Sequence, residues 1–382
     1  MFDLYQRQLE LKNNFTIGQD IVYDHSSMEI RFMPFLSNFN YDGYTCFDNS
    51  FTREDANIDE NRKFYYPIFK PLSKRKFDKA ILLLHGLNER SWDKYLCWAE
   101  FLCHYTQRPI VLFPLAFHMN RSQSGWLNIR NIFKNLPLRI NKKQANDTVN
   151  DTVSVVNYVL SERLSENPIR FYTSGKQSLE DVTTLVKDMK SGRHPFFNHN
   201  CQVDIFAYSI GAMLTQILLM ANPNKLFSDT RALLFCGGAL FEKMNGLSKN
   251  IMDKVCFKAL HAFYTDRCRL EQIFLCAKDE INTFFSSMLM QEVNKDFRYA
   301  FFKTMGDKMK IISLQKDKVI SYSGIVAAVG KDYAIQHVIE MDYDYAYSHE
   351  QPFPLLNQSL KDKINDSFNK TFTIIGDFFN LT

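Results

Sequence analysis

The sequence predicts an α/β protein with a mostly parallel central sheet flanked by helices, an N-terminal extension and a helical insertion late in the chain. Three observations lead there. The strand-like run Val203-Asp204-Ile205-Phe206-Ala207-Tyr208 halts at Ser209, and an apolar helix starts at Ile210. A second run, Lys79-Ala80-Ile81-Leu82-Leu83-Leu84, ends directly in His85-Gly86-Leu87-Asn88. Further on, Lys310-Ile311-Ile312-Ser313-Leu314 leads into Gln315-Lys316-Asp317, and Gln336-His337-Val338-Ile339-Glu340 precedes a loop holding His349. Short continuous apolar runs suit parallel strands covered on both faces.

The elements follow in order. Residues 1–77 form the extension, with strand-like composition at 28–35 and 63–69 around a polar stretch, 38–61, that contains Asp42-Gly43. The core begins at 78 with the strand at 79–84. A helix over about 92–105 places Tyr95, Trp98, Ala99 and Leu102 on one face, and 108–113 is the next strand. Residues 114–150 read as a loop carrying Trp126, followed by a helix over 151–165. An insertion at 173–199, with a helix near 179–190, precedes the strand that ends at Ser209. The helix after Ser209 stops near Asn222-Pro223, because a residue before proline is pushed out of the helical region. A strand at 231–236 closes on Gly237-Gly238. Residues 239–308 are mainly helical and aromatic-rich, and 309–382 return to the core, so the chain divides at 1–77, 78–238, 239–308 and 309–382.

Composition excludes several classes. The formal charge is +4, and the basic clusters Lys74-Arg75-Lys76 and Lys142-Lys143 are short. Nucleic-acid binding needs a broader basic face, so none is expected. The first ten residues show no basic stretch leading into an apolar one, so no secretory signal is expected. The longest apolar stretch, 205–221, is broken by Ser209, Gly211, Thr215 and Gln216 and is no membrane span. Eight scattered cysteines read as reduced thiols, hence a cytoplasmic protein. No glycine-rich phosphate loop points to a nucleotide cofactor. His194, His199 and Cys201 lack a fourth partner at metal-ligand spacing, so no metal is expected either. The 34 phenylalanines fit either the coding bias of an AT-rich genome or an aromatic pocket.

Chemistry concentrates at Ser209. Ala207 and Gly211, two positions either side, meet the need of a nucleophile elbow for small residues, since larger ones would strike neighbouring backbone. On these residues, and on the order serine, acid, histidine, the chain resembles the α/β-hydrolase superfamily over about 78–375. The phrases Pro114-Leu115-Ala116-Phe117-His118 and His349-Glu350-Gln351-Pro352-Phe353-Pro354 resemble a bacterial branch of it with no assigned function.

The resemblance implies a serine hydrolase acting on a small-molecule acyl ester through an acyl-enzyme, with no cofactor. Ser209 would be the nucleophile, His349 the base and Asp317 the acid, with Glu242 and Asp279 as alternative acids. The backbone N–H groups of Leu87 and Ile210 would form the oxyanion hole, and His85 would brace that loop. Residues 239–308 would be a lid. Its aromatic and methionine residues, Phe284, Phe285, Met288 and Met290 among them, either line an apolar acyl site or form the lid's own core. His118 and Arg121 fall at the expected rim, where the arginine either binds a substrate anion or pairs with a loop acid. Ser209 is expected to face solvent. An acyltransferase, thioesterase or peptidase would share these residues, and a catalytically silent scaffold acting as a binding module would share the fold.

Overall fold

The computed structural model describes residues 2–41, 54–144, 152–271, 280–355 and 358–381. The runs of strand chemistry form β1 (Ile21–Tyr23), β2 (Met28–Leu36), β3 (Lys63–Pro71), β4 (Phe77–Leu84), β5 (Ile110–Leu112), β6 (Phe197–Tyr208), β7 (Ala232–Phe235), β8 (Met309–Leu314) and β9 (Val338–Met341). They pair in the order β1-β2-β3-β5-β4-β6-β7-β8-β9. The β1, β2, β3 and β5 neighbours are antiparallel, and pairing is parallel from β5 through β4 to β9.

Side chains of the central strands alternate between two cores because successive Cβ atoms point to opposite faces. Ala80, Leu82 and Leu84 of β4, with Val203, Ile205 and Ala207 of β6, meet the helices Ile169–Lys190 and Ile210–Ala221 through Val182, Val186, Ile217 and Leu218. Ile81, Leu83, Phe206 and Tyr208 point the other way, toward Trp98 of helix Asp93–Thr106 and Phe368 and Phe372 of helix Lys361–Asn380. Each fully buried side chain of this size stabilises by about 1.5–3 kcal/mol. Both faces are therefore covered, as continuous apolar runs require.

The same order sets where a ligand can bind. β4 lies between β5 and β6, so the chain crosses first to one side of β4 and then to the other. That reversal opens a crevice beyond the carboxyl ends of β4 and β6. His85 follows β4, Ser209 follows β6, and Asp317 and His349 follow β8 and β9.

Three expected elements differ. Residues 114–150 are not a loop throughout. After single 3-10 turns at Met119–Arg121 and Ser124–Leu127 comes a helix, Ile129–Gln144. Pro137 inside it and the lack of an acidic first turn disguise it in the sequence. The following helix spans Tyr158–Glu166 rather than starting at 151, because Asn157 organises a turn before it: its Nδ2 donates to Thr152 O (2.7 Å), and its Oδ1 accepts from Ser154 N (3.0 Å). The helix expected at 179–190 starts ten residues earlier, at Ile169. Asp42-Gly43 lies outside the described residues. Among the described residues, no helix is long and apolar enough to cross a membrane.

The loop leading into β6 is packed inward. His194 is buried, its Nδ1 accepting from Phe196 N (3.2 Å), so its Nε2–H donates to Tyr66 Oη (2.9 Å). Burial pushes this imidazole down to about 4. Between pH 6.5 and 4 the unfolded chain therefore binds a proton that the folded chain refuses, and stability falls as pH falls through that window. The melting temperature should decline from pH 6.5 to 4, and His194→Gln should flatten the decline. Equal slopes in a thermal-shift titration would mean His194 does not contribute.

Candidate active site

Ser209 joins β6 to the helix Ile210–Ala221 at φ 56°, ψ −120°. A side chain in such a region costs about 1–3 kcal/mol and persists only where its surroundings over-determine it. Here they do. Ser209 N donates to Phe235 O on β7 (3.2 Å), and Ser209 O accepts from Ala212 N (3.0 Å). A Cβ on Gly211 would lie 2.7 Å from Leu84 O and 2.8 Å from His85 O, so only glycine lets the helix press onto the end of β4. Gly237 has an equal role that the sequence does not reveal: its Cβ would stand 2.3 Å from the Ala212 Cβ.

Three polar side chains meet at this edge. Ser209 Oγ lies 2.7 Å from His349 Nε2, and His349 Nδ1 lies 2.7 Å from Asp317 Oδ2. The other carboxylate oxygen, Asp317 Oδ1, accepts from Val319 N (2.8 Å) and Ile320 N (2.9 Å). A carboxylate offers only acceptors, so the proton on this side of the imidazole sits on Nδ1 and leaves Nε2 free to accept from the serine hydroxyl. Glu242 lies elsewhere, accepting from Gln291 N (3.0 Å) beside Lys243. Asp279 falls outside the described residues.

A second layer holds the histidine. The Tyr208 ring stacks on the His349 ring at 5.5 Å and 18°, while its hydroxyl donates to His349 O. Lys94 Nζ stands 4.5 Å over the Tyr208 ring and donates to Glu350 O (3.0 Å). Lys94 also pairs with Glu89, to which Tyr95 Oη donates (3.0 Å) while accepting from Gly86 N (3.0 Å). The loop after β4 and the loop bearing His349 are thus one hydrogen-bonded unit. Sequence reasoning missed Lys94, Tyr95 and Tyr208 here, since nothing in their spacing signals it.

Two further histidines brace this edge. His85 is fully buried; its Nε2 accepts from Leu115 N (2.9 Å), so Nδ1–H faces Gly86 O (2.9 Å), and burial holds it well below the usual histidine range. His118 packs beside it and is likewise lowered by burial. Arg121 pairs with Asp181 (2.8 Å) and also bonds Asn61 and Pro114 O, so its charge is spent inside the fold. Cys201 lies in β6. Among the described residues, no group of three or more His, Cys, Asp or Glu could hold a metal.

Ser209 does not face solvent as expected. It is 6% exposed and His349 3%, because the chain after β7 folds over them. Beneath that cover, an apolar cavity reaches Ser209, lined by Phe171, Phe241, Met244, Met252, Phe257 and Leu260. A second cavity shares Leu87, Phe171 and Ile210 with it. Met288 and Leu289 are instead buried in the core, and Phe285 reaches only the second cavity. The cover is tied down by Asn88 Nδ2 to Asn250 O (2.7 Å), Asn157 Nδ2 to Ser248 O (2.9 Å) and Ser248 Oγ to the Glu350 carboxylate.

Strand order, the antiparallel strands at one edge and the serine between β6 and its helix define an α/β-hydrolase fold. The chain belongs to a family of unknown function, DUF6051, whose profile matches residues 2–380. No curated protein matches it. Among solved structures it is similar to a thermostable esterase from Pseudomonas putida (10% identity, TM-score 0.49, covering 99% of this chain and 88% of that one). It is also similar to carboxyl esterase 2 from Tuber melanosporum (9% identity, TM-score 0.46, covering 100% and 99%).

The strained turn has a measurable signature. Ser209→Ala and Ser209→Gly both remove the hydroxyl, but only glycine relieves the positive φ. In chemical denaturation the glycine variant should be about 1 kcal/mol the more stable of the two; an alanine variant as stable as glycine would show that the turn stores no strain.

Proposed function

We propose that this protein is a serine hydrolase that cleaves a carboxylic ester of an apolar acid through an acyl-enzyme. The observation that carries this is the chain of contacts Ser209–His349–Asp317, 2.7 Å at each step, opening on an apolar cavity.

A serine hydroxyl is a weak nucleophile at neutral pH and needs a base in hydrogen-bonding reach. His349 Nε2 takes the Ser209 proton as Oγ attacks the ester carbonyl, and Asp317 stabilises the imidazolium that forms. General catalysis of this kind contributes about 10²–10⁴-fold. The carbonyl oxygen then carries negative charge. The first N–H groups of a helix have no partner within it, so Ile210 N–H is suited to meet that charge. Leu87 lines the cavity beside it and offers the second N–H. Each such donor is worth about 2.7–4 kcal/mol at the transition state. The intermediate collapses, the C–O bond breaks, and the alcohol leaves with the proton from His349. Water then repeats the sequence on the acyl-enzyme and regenerates Ser209.

The cavity supports an apolar acyl group, since phenylalanines, methionines and leucine form most of its wall and each buried methylene adds about 0.8 kcal/mol. The chain after β7 acts as the lid, excluding water from the acyl-enzyme. Buried thiols at Cys97, Cys103, Cys201 and Cys236, none of them in a disulfide, support a reducing, cytoplasmic setting.

A fluorophosphonate probe should label the wild type and fail on Ser209→Ala. An intact, folded sample that stays unlabelled would favour a binding module instead. With p-nitrophenyl esters, kcat/KM should rise with acyl length until the cavity is full. Asp317→Asn turns an amide N–H toward His349 Nδ1 and forces the wrong tautomer, so turnover should fall by a factor on the order of 10⁴. Glu242→Gln should leave turnover near the wild-type value, and the reverse pattern would reassign the acid.

A further inference from the structure

The helix Ile129–Gln144 is amphipathic in an unusual sense. Its inward face holds Ile132 and Arg139, both buried. Residues four apart stack along a helix, and the outward stripe so formed is Ile129, Phe133 and Pro137, all exposed. The ridge beside it is Arg130, Lys134 and Leu138, also exposed. Ile129, Phe133 and Leu138 leave 59%, 58% and 59% of their surface in water. The sequence of this helix contains five basic residues and no acidic one. Exposed aliphatic and aromatic side chains interleaved with cations are the chemistry of a helix that lies in the surface of an anionic bilayer. An acidic protein groove would fit the cations, but a flat lipid surface also accommodates two parallel ridges together.

The helix is joined to the cover over Ser209. Arg139 forks onto Asp253, with Nε to Oδ2 at 2.6 Å and Nη2 to Oδ1 at 3.1 Å. Asp253 caps the helix Lys254–Tyr264, its carboxylate accepting from Val255 N and Cys256 N at 3.0 Å each. Phe257 and Leu260 of that helix line the serine cavity, while Val255 is exposed. Lys249, in the cover itself, is exposed too. One ion pair therefore separates the apolar surface stripe from the roof of the cavity.

We infer that the helix Ile129–Gln144 docks this protein on an anionic lipid surface, with Ile129, Phe133 and Pro137 entering the bilayer and Arg130 and Lys134 on the headgroups, so that the ester is drawn from the lipid phase. The substrate part of this inference rests on the proposed hydrolase reading; the docking part does not.

Docking is read on the full-length Ser209→Ala protein by co-sedimentation with vesicles of phosphatidylcholine, alone or mixed with phosphatidylglycerol. Binding should require phosphatidylglycerol and weaken as salt rises. Ile129→Ser with Phe133→Ser should weaken it by about tenfold or more. Arg130→Glu with Lys134→Glu should abolish the lipid-charge preference, and Ile335→Ser, exposed on a different helix, should change nothing. Turnover of a water-soluble ester by the same substitutions in the wild-type background should stay unchanged, which shows that they fold. No binding by the folded protein would overturn the proposal. So would equal binding after the serine substitutions, or a concentration-dependent dimer that they dissolve. If vesicles bind but no ester is turned over, the hydrolase reading fails and the docking surface stands.

Discussion

Ser209 adopts a backbone conformation that a serine does not prefer, and it does so because three strands and a helix leave no other. β6 delivers the chain, Phe235 O of β7 receives the Ser209 N–H, and Gly211 rests against the carbonyls of Leu84 and His85 at the end of β4. The direction of the side chain follows from the direction of the turn. So does the start of the helix at Ile210, which brings its N–H to the same edge. The close approaches at Gly211 and Gly237 are therefore conditions on the hydroxyl's position rather than local packing details.

The polar groups at this edge are buried, and a buried carboxylate is costly unless both its oxygens are hydrogen-bonded. Asp317 meets that condition with one oxygen on His349 and the other on two backbone N–H groups. The carboxylate cannot rotate without losing one set of bonds, so it fixes the imidazole plane. Tyr208 presses on that plane from the side, and Lys94 fixes Tyr208 in turn. Because Lys94 and Tyr95 also hold Glu89 and Gly86, displacement of one loop is resisted by the other.

The sequence reveals elements whose signal is local. β4, β6 and β8 end in largely apolar runs buried on both faces, and such runs need no tertiary knowledge to recognise. Chain order alone sets Asp317 and His349 after the last two strands. What is invisible depends on distant packing. The helix Ile129–Gln144 hides behind Pro137 and an apolar stripe that points outward, where a periodicity reading looks for a core. The cavity wall draws on Phe171, before the serine, and on Phe241 to Leu260, after it, while the more conspicuous cluster around Met288 packs into the core. Gly237 reads as the end of a strand, and only the neighbouring Ala212 shows that no side chain fits there.

The cover over Ser209 is held in two unlike ways, and the difference says where it opens. Segment 245–252 is tied by the side chains of Asn88, Asn157 and Glu350 through exposed or half-buried hydrogen bonds, each of which water can replace at a net cost of about 0.5–1.5 kcal/mol. The helix that follows is anchored through Arg139 and Asp253, where breaking the pair strands a buried charge at about 3–5 kcal/mol. Opening by the route of least work therefore displaces segment 245–252 and leaves the helix seated. The helix keeps Phe257 and Leu260 in the cavity wall throughout, so the apolar lining beside Ser209 persists while the entrance is open.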